Sequence, residues 1–150
     1  MPPPRFSEQL ELAAVLTAVG CSRMFVETTL VKWGATPVID DALLVVSELV
    51  TNSVKATGVT TPDPNWAQLG KLNLIGVRLL GLERSIVIEV WDIDPRTPVV
   101  QDADFDAESG RGLFLVETVA SRWGSRPAEP GKVVWAELPI QPSPGESFHE

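Results

Sequence analysis

DDALLVVSELVTNSVKA, residues 40–56, decides how this chain is read. Wound at 3.6 residues per turn, Ala42, Leu43, Val45, Val46, Leu49, Val50 and Val54 gather on about half of the wheel, which predicts an amphipathic helix. Asp40 or Asp41 is placed to cap its start, and Gly58 to end it. The other half carries Ser47, Glu48, Thr51, Asn52 and Lys55. Glu48, Asn52 and Lys55 follow i, i+4, i+7 and so form one line along the helix. Water is the usual neighbour of such a face. Most of these side chains are short, however, and short side chains also let a ligand approach the backbone.

Working outward, Gln9 to Val19 mixes strand character with the start of a helix, and Ser22 to Trp33 reads as a helix. GATP, residues 34–37, stops it, with Gly past the end and Pro beyond. On the other side of the central helix, the two prolines of VTTPDPN mark a loop. Lys71 to Leu80 and SIVIEVWD (85–92) read as strands, Leu113 to Trp123 as a helix, and KVVWAEL (132–138) as a last strand. Helices come early and strands late. That order predicts an α+β two-layer sandwich, a mixed sheet with helices on one face. Residues 1–8 read as a loose leader, 9–140 as one domain and 141–150 as a polar tail.

Composition narrows the function. A chain of 150 residues with 44% hydrophobic and 21% charged residues can bury one globular core. A net charge of −8 disfavours a nucleic-acid surface and an anionic membrane surface. The longest apolar runs fall well short of a bilayer span, and MPPPRFSEQLEL lacks the basic and apolar regions of a signal peptide. Cys21 is the single cysteine, which excludes an internal disulfide and fits a cytoplasmic location. There is no Cys/His spacing for zinc, and the single histidine, His149, sits in the tail, so histidine-based acid–base chemistry is not expected.

Two other segments carry chemistry. Ile86, Ile88 and Val90 share one parity of their strand and Asp92 continues it, so a carboxylate points to the buried side at the strand end. Asp92 either begins the turn before Pro95 or serves as a buried acceptor, and a desolvated carboxylate requires a donor. In ESGRGLFLV (108–116), Gly110 and Gly112 flank Arg111 before a helix. This is either a simple turn or a place where phosphate meets unpaired N–H groups at a helix start.

Taken together, E-L-V-T-N-x-V-K, then V-x-D, then E-x-G-R-G-L-x-L-V, in this order, resemble the GHKL ATPase superfamily with its Bergerat, or histidine-kinase-like ATPase, fold. The likeness is closer to its short stand-alone members, the anti-sigma-factor serine kinases and related ATP-binding regulators, and covers roughly residues 10–140. The resemblance implies ATP and Mg²⁺ as ligands. It implies that Glu48 polarises the attacking nucleophile, that Asn52 binds Mg²⁺, and that Lys55 lies near phosphate. Asp92 would accept from the adenine amine, and Gly110, Arg111, Gly112 and Leu113 would sit at the triphosphate. Lys132 would lie on the adenine side of the pocket, and Asp94 to Ser109 would form a short lid. The partners implied are a sigma factor and a protein antagonist, and members are often homodimers.

The chain departs from the family pattern in one respect that bears on activity. The expected D-x-G-x-G reads Asp92-Ile93-Asp94-Pro95-Arg96, with neither glycine. Two functions therefore stand: a serine/threonine protein kinase acting on an antagonist, favoured by Glu48, and a non-catalytic nucleotide-binding regulator, favoured by the altered box.

Overall fold

The computed structural model describes residues 4–98 and 108–140, with the side chains of residues 108–111 outside the description. The expected tail and residues 99–107 of the expected lid lie outside the described residues. The elements run β1 (Phe6–Ala13), α1 (Thr17–Lys32), a 3₁₀ turn (Thr36–Val38), α2 (Ile39–Thr57), α3 (Trp66–Leu69), β2 (Leu74–Gly81), β3 (Ser85–Asp92), α4 (Glu108–Val119), β4 (Arg122–Ala128) and β5 (Gly131–Pro139). The architecture is α+β: one five-stranded sheet in the order β1-β2-β3-β5-β4, with helices packed on it.

All four strand pairings are antiparallel, so the expected mixed sheet is corrected. The reason lies in the connections. Three residues join β2 to β3 and two join β4 to β5, and links that short can only fold a strand back on its neighbour. Strand β4, RWGSRPA, has no apolar alternation and escaped the pattern reading, which ran α4 on to Trp123. Among the described residues it is an edge strand whose one neighbour is β5, the position where a proline such as Pro127 is tolerated. Strand β1 begins at Phe6, so residues 6–8 belong to the sheet and not to a loose leader.

Helix α1 ends as its sequence prescribes. Gly34 adopts φ 72°, the Ala35 N–H donates to Leu30 O and the Gly34 N–H to Val31 O, a complete Schellman motif. Helix α2 starts differently from expectation. Its N-cap is Val38 without a side-chain bond, because the 3₁₀ turn delivers the chain already coiled. Asp40 and Asp41 fall in the first turn, where their charges still favour the positive helix end.

The core lies between this sheet and α1, α2 and α4. Ile86, Ile88 and Val90 of β3 meet Val46, Leu49 and Val50 of α2, with Leu113 and Val116 of α4 and Val26 and Leu30 of α1 around them. Each such side chain contributes about 1.5–3 kcal/mol by leaving water. Helix α2 contacts β2, β3, β5, α1 and α4. It is the central pillar, which fixes the position of everything on its polar side.

Candidate functional site

The polar side of α2 borders a cleft of about 450 Å³ between that helix, the end of β3, the start of β5 and α4. That volume lies within the usual range for small-molecule sites, roughly 300–1,000 Å³. Asp92 sits in its wall and is only 3% exposed. Strand alternation carries it to the buried side behind Val90, and donors meet it there. Ser53 Oγ donates to Oδ2 at 2.5 Å. Lys132 Nζ donates to Oδ1 at 2.9 Å, and the Asp94 N–H donates to the same oxygen at 3.0 Å. A carboxylate offers about four acceptor positions. Three are filled, and the remaining one is on Oδ2.

Lys132 reaches Asp92 because the two are register partners across β3 and β5. Its ammonium also donates to Asp94 O at 2.8 Å. Gly131, just before it, has to be glycine in this geometry: a Cβ there would overlap the backbone carbonyl of Asp92.

From α2, Asn52 and Lys55 line the cleft, as does Leu113 from α4. Glu48 belongs to the same helical line but not to the cleft wall. It is half-buried against α4, and a Cβ on Gly112 would overlap its carboxylate. Gly112 thus lets α4 close onto α2 at Glu48. The helix begins at Glu108 rather than Leu113, so Gly110, Arg111 and Gly112 lie in its first turns and not in a preceding loop. The first four N–H groups of a helix lack partners within it, which keeps donors at this end of α4.

Ser53 carried a signal that pattern reading missed. It stands i+4 from Leu49 and i+7 from Val46, so its hydroxyl is on the apolar face and needs a buried partner. Asp94 and Arg96, which replace the glycines of the expected box, also line the cleft. Hydrogen bonds from the Arg96 side chain and N–H hold the Asp94 carboxyl down to about 2, well below its ordinary value of 3.8. Among the described residues the ionisable lining comprises Lys55, Arg96 and Lys132 with Asp92 and Asp94, and Arg96 pairs with Asp94 and Lys132 with Asp92.

A second hollow, about 350 Å³, lies on the opposite face of the sheet. Its floor is Glu89, bonded by Arg78 Nε at 2.6 Å and Arg126 Nη2 at 3.0 Å. That ion triad satisfies itself. The α2 cleft is the better candidate, because there acceptor, amide and cationic groups of α2, β3, β5 and the segment after β3 converge. Among the described residues no group of three His, Cys, Asp or Glu side chains is placed to hold a metal, so a cation here would rest on Asn52 together with oxygens of its ligand. No protein-family model matches the chain, and no curated protein matches it significantly.

Proposed function

We propose that this chain is an ATP-binding regulatory protein of the anti-sigma-factor type, with the Bergerat fold of the GHKL superfamily, and that it transfers the γ-phosphoryl group of ATP to a serine or threonine of a protein antagonist. The observation that carries the reading is Asp92, a buried carboxylate with one acceptor position left, at the wall of a cleft otherwise rich in donors. An aminopurine would supply the missing donor, and its phosphates would extend toward the N-terminal end of α4. The donor set therefore fits a magnesium nucleotide.

Mg-ATP, when bound, supplies the transferable phosphoryl group and the cation that neutralises charge during transfer. The chain's own residues divide the remaining work. Asp92 holds the base and Lys132 fixes the carboxylate. The Asn52 amide oxygen would take one Mg²⁺ position, sufficient for an ion that keeps most of its waters. Lys55 and the N–H groups of the first turn of α4, Gly110 among them, would hold phosphate oxygens, with Gly112 and Leu113 one turn further along the helix. Glu48 would take the proton of the attacking hydroxyl.

A second reading is favoured by the placement of Glu48 against Gly112 and outside the cleft wall. On that reading the chain holds nucleotide and captures a sigma factor or its antagonist without turnover. Incubation of the protein with γ-labelled ATP and a cell lysate separates the two. A labelled small-protein band supports the kinase. Stable nucleotide binding with no label transfer supports the regulator.

A further inference from the structure

We propose that Lys132 is a specificity-determining residue that donates to the ring nitrogen N1 of the bound base, so that Asp92 and Lys132 together read the adjacent amine and nitrogen of adenine. The proposal rests on the nucleotide reading of the cleft.

The argument starts from the cost of the pair. Both partners are buried, Asp92 at 3% and Lys132 at 8% exposure. Desolvating two opposite charges is expensive, and well-packed apolar residues in their place are often as stable or more so. Stability alone does not account for a lysine here. Position does suggest a use. Lys132 opens β5 opposite Asp92 and lines the same cleft.

Counting donors and acceptors gives the rest. An ammonium has three N–H donors. One goes to Asp92 Oδ1 and one to Asp94 O, which leaves a third for the contents of the cleft. Asp92 keeps one acceptor position on Oδ2, since Ser53 takes the other. The pair therefore offers an acceptor and a donor side by side. Adenine presents the complement in neighbouring positions, a donor at the 6-amine and an acceptor at N1. A 6-oxopurine reverses that order, with an acceptor at position 6 and a donor at N1. With the 6-position on Asp92, it would set oxygen against carboxylate and N–H against ammonium.

The test is calorimetric titration of the full chain with Mg-ATP, Mg-1-deaza-ATP (C–H in place of N1) and Mg-ITP, for wild type and Lys132→Met. A hydrogen bond to a charged group is worth about tenfold or more in affinity. Wild type is expected to bind 1-deaza-ATP and ITP at least tenfold more weakly than ATP. Lys132→Met is expected to bind ATP and 1-deaza-ATP alike. If that variant does not fold, the three nucleotides on wild type can still overturn the proposal, and Lys132→Gln, which keeps a donor, takes the place of the variant. Equal binding of ATP and 1-deaza-ATP by wild type, or tighter binding of ITP, overturns the role of Lys132 while leaving nucleotide binding intact. Wild type that binds none of the three overturns both.

Discussion

Lys132 Nζ lies 2.9 Å from Asp92 Oδ1, and the two residues are register partners where β3 ends and β5 begins. The contact ties the sheet to the cleft. It sets the direction of the one buried carboxylate on the helix side of β3, and it does so through a pair that the strand register makes unavoidable.

Removing one partner leaves the other charged and buried. Lys132→Met should therefore destabilise the fold by about 3–5 kcal/mol, read as a shift in the urea midpoint at constant slope. Replacing both charges, in Asp92→Leu with Lys132→Met, should return most of that loss. A single variant as stable as wild type would show that Asp92 finds its donors without the lysine.

Gly131 tests the same corner through the backbone. A side chain there meets the carbonyl of Asp92, which cannot turn aside as a flexible side chain could. Gly131→Ala should cost about 3 kcal/mol, the upper end of ordinary overpacking, and should lower nucleotide affinity with it. A thermal melt and a binding titration on the same sample check both.

Asp94 gives a pH signature. Its folded value, about 2, is below the ordinary 3.8, so its contribution to stability is present above pH 3.8 and is lost as pH falls through 2. The contribution is small, since the Arg96 side chain is 80% exposed and solvent screens the pair. The titration itself is the clearer readout. In Arg96→Ala the carboxyl carbon of Asp94, followed by NMR, should titrate above 2 but still below 3.8, because the residue-96 N–H continues to donate to it. A value still near 2 would assign the shift to the backbone N–H and Lys132 rather than to the guanidinium.

Much of this was legible from residue pattern. The apolar arc of α2 and the alternation of β3 follow from periods of 3.6 and 2, and the second places Asp92 on the buried side from sequence alone. Gly34 announced the end of α1, because a positive φ suits glycine. Strand β4 was not legible. RWGSRPA forms a strand only because β5 offers it an edge, a tertiary effect with no local trace. The direction of the sheet depended on β4 too, since the two-residue link from β4 to β5 cannot be seen without it. On the site, the line Glu48–Asn52–Lys55 was found, but its split between cleft and helix packing was not. That split is set by how closely α4 approaches, which Gly112 permits.

The same split separates enzyme from binder. Asn52→Ala should weaken Mg-ATP binding itself. Glu48→Ala should bind nearly as well as wild type, because a group acting on the nucleophile matters mainly in the transition state. If the chain is a kinase, its transfer rate should fall by roughly 10²–10⁴ in Glu48→Ala. Paired titrations and phosphorylation assays on both variants check this. Wild type without transfer, together with an inert Glu48→Ala, would leave the regulator reading.

The central claim, that the cleft beside Asp92 binds Mg-ATP, is tested most directly by thermal melting of wild type and Asp92→Asn with and without the ligand. At about 100 times the Kd, binding to the folded state stabilises by about 2.7 kcal/mol, several degrees for a domain of this size. Wild type should show that rise with millimolar Mg-ATP. Asp92→Asn melts lower for loss of its pair with Lys132, so its own unliganded melt is the reference, and it should rise little, because an amide donor can face the adenine amine. A wild-type melt that does not move, or one that moves equally in both proteins, would contradict the account.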